Sequence, residues 1–215
     1  LTRDRIWLIL ALVVFYKLGD AFSHTLTTAF FLRGLEFTQS EVGVITKVVG
    51  LVASLVGILF GGILMTRIGL FRALLLFGIL QAVTNLFYMW LAMIGKNYLY
   101  ATCAIFIENL CGGMGTAAFV ALLMSLCNKK FTATQFALLS SLAAVGRTYV
   151  GPIAGVLVAS YGWANFYFLT FVFALPGLGL LIMLRKNISL PVKDNNESDK
   201  GNNDGQSGNE APILT

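Results

Sequence analysis

The sequence predicts an all-α integral membrane protein: a bundle of six transmembrane helices followed by a disordered tail. Three observations carry that expectation. First, 57% of the 215 residues are hydrophobic and 12% charged, whereas soluble domains carry about 25% charged residues. Second, the apolar residues fall in long runs such as Val48 to Met65, with no alternation of polar and apolar positions. Barrel strands would alternate over about 10 positions, and in hydrocarbon a backbone outside a closed barrel satisfies its hydrogen bonds as helix. Third, charge is segregated. Residues 187–215 hold two Lys, five acids and no aromatic residue, whereas residues 1–186 hold 13 basic and five acidic side chains, a net +8 inside the whole-chain +5. Together these features exclude a secreted disulfide scaffold, a nucleic-acid-binding basic domain and an ordinary cytosolic enzyme.

A crossing needs about 20 mainly apolar residues, and six segments supply them: about 6–32, 42–66, 73–95, 99–126, 135–159 and 164–184. The first follows Thr2-Arg-Asp-Arg5 and carries Lys17, Asp20 and His24. No cleavage site of small residues follows it, so it is not a signal peptide. The chain opens on Leu1, and residue 1 is expected to lie within a longer parent chain. Span two carries Lys47 and a stripe of Gly43, Gly50, Ser54, Gly57 and Gly61, a small-residue face that lets membrane helices approach closely. Span three holds no ionisable residue but has Gln81 and Asn85. Span four carries Glu108 and Asn109, then Cys111-Gly-Gly-Met-Gly115. That run lacks the Lys-Ser/Thr of a phosphate loop and reads as close helix contact or local flexibility. Span five has Arg147 at its midpoint, and Gly151-Pro152 with Gly155 predicts a helix break in its middle. Span six has no ionisable residue. The tail, 187–215, lacks the apolar surface to offset its ordering entropy and is expected to be disordered. Cys103, Cys111 and Cys127 show no metal-site spacing and read as packing residues.

Loop charge sets the orientation. Arg3, Arg5, Arg67, Arg72, Lys129, Lys130, Arg185 and Lys186 sit at one set of ends, against Arg33 and Lys96 at the other. This bias places both termini in the cytoplasm. Tyr98, Tyr100, Tyr161 and Trp163 fit an aromatic belt at the opposite face.

Ionisable residues inside the spans are the informative ones, because a charge at the bilayer centre costs at least about 2.5–3.5 kcal/mol and faces a wet cavity or a partner. Lys17, Asp20 and His24 share one helical face at i, i+3 and i+7. The Lys–Asp pair either neutralises itself or lines a cavity, where it binds ligand charge or changes protonation during transport. His24 is either a satisfied or solvated residue or a proton relay. Arg147 keeps its charge and has a planar fork suited to carboxylates, so Glu108, Asp20 or an anionic substrate balances it. Glu108 is the candidate titrating acid. Spans one, two, four and five are expected to surround something polar, with three and six as outer supports. The two halves repeat in order (acid-bearing, base-bearing, neutral), as an inverted three-helix repeat would.

The link between spans two and three, Gly62-Ile-Leu-Met-Thr-Arg67-Ile-Gly69-Leu-Phe-Arg72, resembles the cytoplasmic loop signature of the major facilitator superfamily, with Thr66 where the usual acid stands. Longer stretches are more specific. Tyr16-Lys-Leu-Gly-Asp20, Glu108 through Thr116, Phe119 through Met124, and Ala133 through Ser140 on to Gly151-Pro152 resemble the AmpG muropeptide permease family. The likeness runs from about Trp7 to Pro176 and covers that family's second six-helix half.

This resemblance implies half of a twelve-helix major facilitator fold, with helices seven and ten lining the cavity and nine and twelve peripheral. It implies a transporter in the bacterial inner membrane, not an enzyme, with no cofactor or metal. Its substrates would be anhydromuropeptides (N-acetylglucosaminyl-1,6-anhydro-N-acetylmuramyl peptides), imported from periplasm to cytoplasm for cell-wall recycling by proton symport. Lys17 or Arg147 would contact the anion, Asn109 would bond sugar, and Tyr16 or Tyr149 would stack on it. Lys47, Asp20 and Glu108 complete the candidates for binding or proton coupling, and Gly62, Arg67, Gly69, Arg72, Gly151 and Pro152 those for conformational change. The expected partner is an N-terminal six-helix half, from the same parent chain or a separate one, and no nucleic acid. An inactive or structural half-permease fragment is the alternative. A membrane enzyme acting on lipid-linked sugars would want clustered His, Asp or Glu near an interface, which this sequence lacks.

Overall fold

A computed structural model describes residues 3–127 and 132–185. The expected disordered tail lies outside the described residues, as do the side chains of Asp20 and Arg147. Among the described residues the chain is helical throughout, with no strand. Helix α1, Arg3–Ala29, runs on through a π-helical turn, Phe30–Gly34. Helix α2, Gln39–Ile68, contains a second π-helical turn, Ile45–Val49. Helix α3 is Leu70–Ile94 and α4 is Tyr98–Leu126. The last helical stretch, Thr132–Arg185, has 54 residues and departs from helical dihedrals at Gly162, giving α5 (132–161) and α6 (163–185).

Four helical stretches, Gln39–Ile68, Leu70–Ile94, Tyr98–Leu126 and Ala133–Met183, are long and apolar enough to cross a membrane. At about 1.5 Å per residue, a straight Ala133–Met183 would exceed twice the roughly 30 Å hydrocarbon thickness, and the turn at Gly162 divides it.

The helix break expected at Gly151-Pro152 is not there. Helical backbone continues through both residues, and the departure from helical dihedrals at Gly162 lies in the link expected between spans five and six. The φ that proline imposes is itself helical, so its missing N–H costs one hydrogen bond without forcing the chain out of the helix. Gly162 (φ 77°, ψ 171°) and Gly69 (φ 83°, ψ 151°), which joins α2 to α3, occupy a region that only glycine enters readily. At the other joints, side chains satisfy the helix starts. Thr38 and Glu41 form a capping box for α2. Asn97 Oδ1 accepts from the Leu99 and Tyr100 amides of α4 at 3.0 and 3.2 Å.

Packing follows the small residues. A Cβ on Gly57 would lie 2.3 Å from Leu110 O, one on Gly61 2.6 Å from Met114 Cα, and one on Gly113 2.5 Å from Ser54 O. The backbones of α2 and α4 therefore touch at Gly57 and Gly61 of the expected stripe, with Gly113 of the Cys111–Gly115 run in the same contact, whereas Gly43 has nothing within 4 Å. Gly177 brings α6 against the backbone of Phe15 and Tyr16 of α1, where a Cβ would lie 2.9 Å from Phe15 O. An aromatic cluster closes one end of the bundle around Phe30, with Tyr167, Trp163, Phe31 and Tyr88 centroids at 5.0, 5.3, 5.5 and 6.1 Å. A second core joins Leu12, Leu74, Phe77, Met114 and Leu181. The opposite face of α2, including Leu51, Leu55, Leu59 and Ile63, is apolar and exposed.

Candidate functional site

Glu108 is 2% exposed at the middle of α4. Taking a carboxylate into such surroundings is expensive unless donors satisfy it, and three side chains converge there. Ser23 of α1 donates to Oε1 at 3.2 Å. The Tyr88 hydroxyl of α3 donates to Oε2, and His24 Nδ1 of α1 lies 3.6 Å from Oε1. Tyr167 of α6 stacks on Tyr88 with centroids 5.1 Å apart, which fixes the phenol that holds the acid. Spans three and six, expected as outer supports, thus each lend a tyrosine to this site. Counting ionisable residues alone had hidden that contribution.

His24 differs from the other donors. Its side chain is 42% exposed against 3% for Glu108. It belongs to the wall of a cavity of about 260 Å³ between α1, α4 and α5, together with Lys17, Phe119, Phe136 and Ser140. Lys17 Nζ donates to Thr116 Oγ1 at 3.3 Å and lies 5.5 Å above the Phe119 ring, a cation–π placement. Among the described residues the cavity therefore presents one ammonium, one imidazole and two aromatic rings. Gln81 of α3 fits against the glycines of α4. A Cβ on Gly115 would be 2.9 Å from its Oε1, and one on Gly112 3.5 Å from its Nε2 and 3.6 Å from His24 Nε2. Small residues at those positions admit a polar layer of Gln81, His24 and Glu108 between three helices.

The remaining candidates are more scattered. Asn109 bonds within the α2–α4 contact, accepting from Ser54 Oγ at 3.2 Å and donating to Ile105 O at 2.8 Å. Lys47 is exposed and lies in the π-helical turn of α2. Arg67 and Arg72 are exposed on either side of the Gly69 turn, with Gly62 in open space. Gly151 faces the Thr25 methyl of α1, 3.5 Å from where a Cβ would stand. Tyr16 donates its hydroxyl to Leu74 O at 3.1 Å and stacks on Phe119 at 5.7 Å, whereas Tyr149 is exposed on α5. Asp20 and Arg147 are carried by α1 and α5. Ser23, Tyr88, Tyr167 and Thr116 are site residues that a search for charges passes over. A signal for one of them exists: Gln81, Asn85 and Tyr88 follow at i, i+4 and i+7 and form a polar stripe on an otherwise apolar helix.

No protein-family model matches the chain. It is 58% identical over 195 residues to the anhydromuropeptide permease of Escherichia coli strain K12, covering 90% of this chain and 40% of that protein. A putative AmpG transporter of Rickettsia felis is 40% identical over 182 residues, or 85% of this chain and 44% of the relative. One from Rickettsia prowazekii is 35% identical over 182 residues, or 85% and 41%. The chain thus spans about two fifths of the length of the curated relatives it matches. With its apolar helices, these matches make it a membrane protein similar to the permeases.

Proposed function

We propose that this chain, a homologue of the AmpG muropeptide permeases, is one half of a secondary transporter that imports anhydromuropeptides across a bacterial inner membrane together with protons. Its six helices act as spans seven to twelve of a major facilitator fold, with both termini cytoplasmic, and an N-terminal six-helix half completes the transporter. The observation that carries this reading is the buried Glu108, held by Ser23, Tyr88 and His24 beside a cavity lined by Lys17 and aromatic rings. An acid kept inside an apolar bundle is costly to insert, and such residues mark ion and proton paths.

The cavity chemistry matches the ligand class. A muropeptide brings carboxylates, which Lys17 can meet, and sugar faces, which rings such as Phe119 and Phe136 can cover. Arg147 on α5 is a further candidate anion contact. Glu108 is the residue for the coupled proton, because a carboxyl can lose its charge inside the membrane while Lys17 serves the ligand. Exposed apolar side chains on α2 suit contact with lipid or with the missing half.

The test is uptake of labelled anhydromuropeptide by cells lacking their own permease. Uptake is expected when the chain is expressed with an N-terminal half, and a protonophore should abolish it. Full uptake by the chain alone would overturn the half-transporter reading.

A further inference from the structure

Glu108 cannot exchange a proton with water unaided. It is 2% exposed, and its donors Ser23 and Tyr88 are 3% and 0% exposed. Among the described residues, His24 is the partner of the acid that also lines the cavity, with Nδ1 3.6 Å from Oε1 and a side chain 42% exposed. Imidazole is also the side chain whose ordinary pKa, about 6.5, lies nearest physiological pH. Lys17 shares that cavity wall two helical turns earlier on α1. We propose that His24 is the proton entry of the site, taking up a proton when an anionic group of the ligand sits beside Lys17 and passing one to Glu108. This inference rests on the transport reading above and names its coupling step.

Every charged or titratable group facing the ring contributes. Lys17 disfavours a second positive charge in the wall, and Glu108 from α4 favours it. Tyr88 from α3 and Tyr167 from α6 reach the ring only through Glu108, and Cys111 lies one turn further along α4. The described α5 residues in the wall, Phe136, Ser140, Ala143 and Ala144, carry no charge, while Asp20 precedes His24 by four residues on α1 and Arg147 follows Ala144 by three on α5. A ligand carboxylate at Lys17 cancels the opposing cation and makes imidazolium acceptable. The transfer balances: Nε2 takes a proton from a hydronium ion in the cavity, which leaves as water, the Nδ1 proton goes to Oε1, and neutral imidazole and a neutral carboxylic acid remain. A direct N–H···O bond needs about 2.7–3.2 Å, so the ring must swing in by roughly half an ångström.

The experiment uses the chain assembled with its N-terminal half in proteoliposomes and reads the KM for anhydromuropeptide uptake against pH, with counterflow exchange alongside. One linked proton predicts a KM that rises about tenfold per pH unit above the histidine range. His24→Gln should flatten that profile and lower accumulation at least tenfold while counterflow falls less. Lys17→Gln leaves His24 and Glu108 in place and should move the rise to higher pH, since it removes the opposing cation. An unaltered profile and full accumulation in His24→Gln, or an unmoved profile in Lys17→Gln, would overturn the relay alone. Absence of proton-driven uptake in the parent protein would overturn both the relay and the transport reading.

Discussion

Two adjacent glycines of α2 have opposite surroundings, and substituting each with alanine should change stability with opposite sign. A Cβ on Gly61 would stand 2.6 Å from Met114 Cα, whereas nothing lies within 4 Å of one on Gly62. Ordinary contact begins near 3.4 Å, so Gly61→Ala must push α2 away from α4 by nearly an ångström. A gap of that size forfeits about a quarter to a half of each van der Waals well along the seam, and membrane helices have little but packing to hold them together. It also stretches the 3.2 Å Ser54–Asn109 bond two helical turns away. Overpacking of this kind costs about 1–3 kcal/mol. Gly62→Ala meets no obstacle and gains up to about 1 kcal/mol of helix propensity. Reversible unfolding in bicelles, followed by tryptophan fluorescence, should place the two variants on opposite sides of the parent. Equal stability of the pair would refute the backbone-to-backbone packing of α2 and α4.

Three further outcomes follow from the same geometry. Tyr88→Phe removes a donor from the buried Glu108 and should lower stability by about 1.5–3 kcal/mol; combining it with Glu108→Gln should cost less than the sum, measured as a double-mutant cycle. Gly162→Ala places a side chain at φ 77° and should cost about 1–3 kcal/mol, read as a lower thermal midpoint in detergent. Lys96 donates to Glu36 O at 2.9 Å, lies 3.7 Å from Glu41 and sits 4.9 Å above the Phe37 ring. Lys96→Met should therefore speed amide exchange around Thr38 to Val42 while leaving the middle of α4 unchanged.

Much of the architecture was readable because bilayer physics is simple: long apolar runs must be helices, and the long elements among the described residues are all helices. The Gly50–Gly61 stripe was readable for the same reason, since a small-residue face has few other uses. Glu108 stood out as a costly acid. Its partners did not, because Ser23, Tyr88 and Tyr167 carry no charge and hydroxyls are common in apolar helices. Only the spacing of Gln81, Asn85 and Tyr88 marked α3 as facing something polar. Pro152 misled because a missing N–H is a local rule, while continuation of the helix depends on the dihedrals its neighbours retain. The π-helical turns at Phe30–Gly34 and Ile45–Val49 have no local composition signal, since an added residue in a helical turn is accommodated by tertiary packing.

The central claim is that the buried acid of α4 carries the coupled proton. Glu108→Gln keeps the shape of the side chain and removes its proton chemistry, so the decisive measurement is pH-gradient-driven accumulation of labelled anhydromuropeptide in vesicles containing the chain and its N-terminal half. Accumulation should disappear in Glu108→Gln. Accumulation equal to that of the parent would contradict the account.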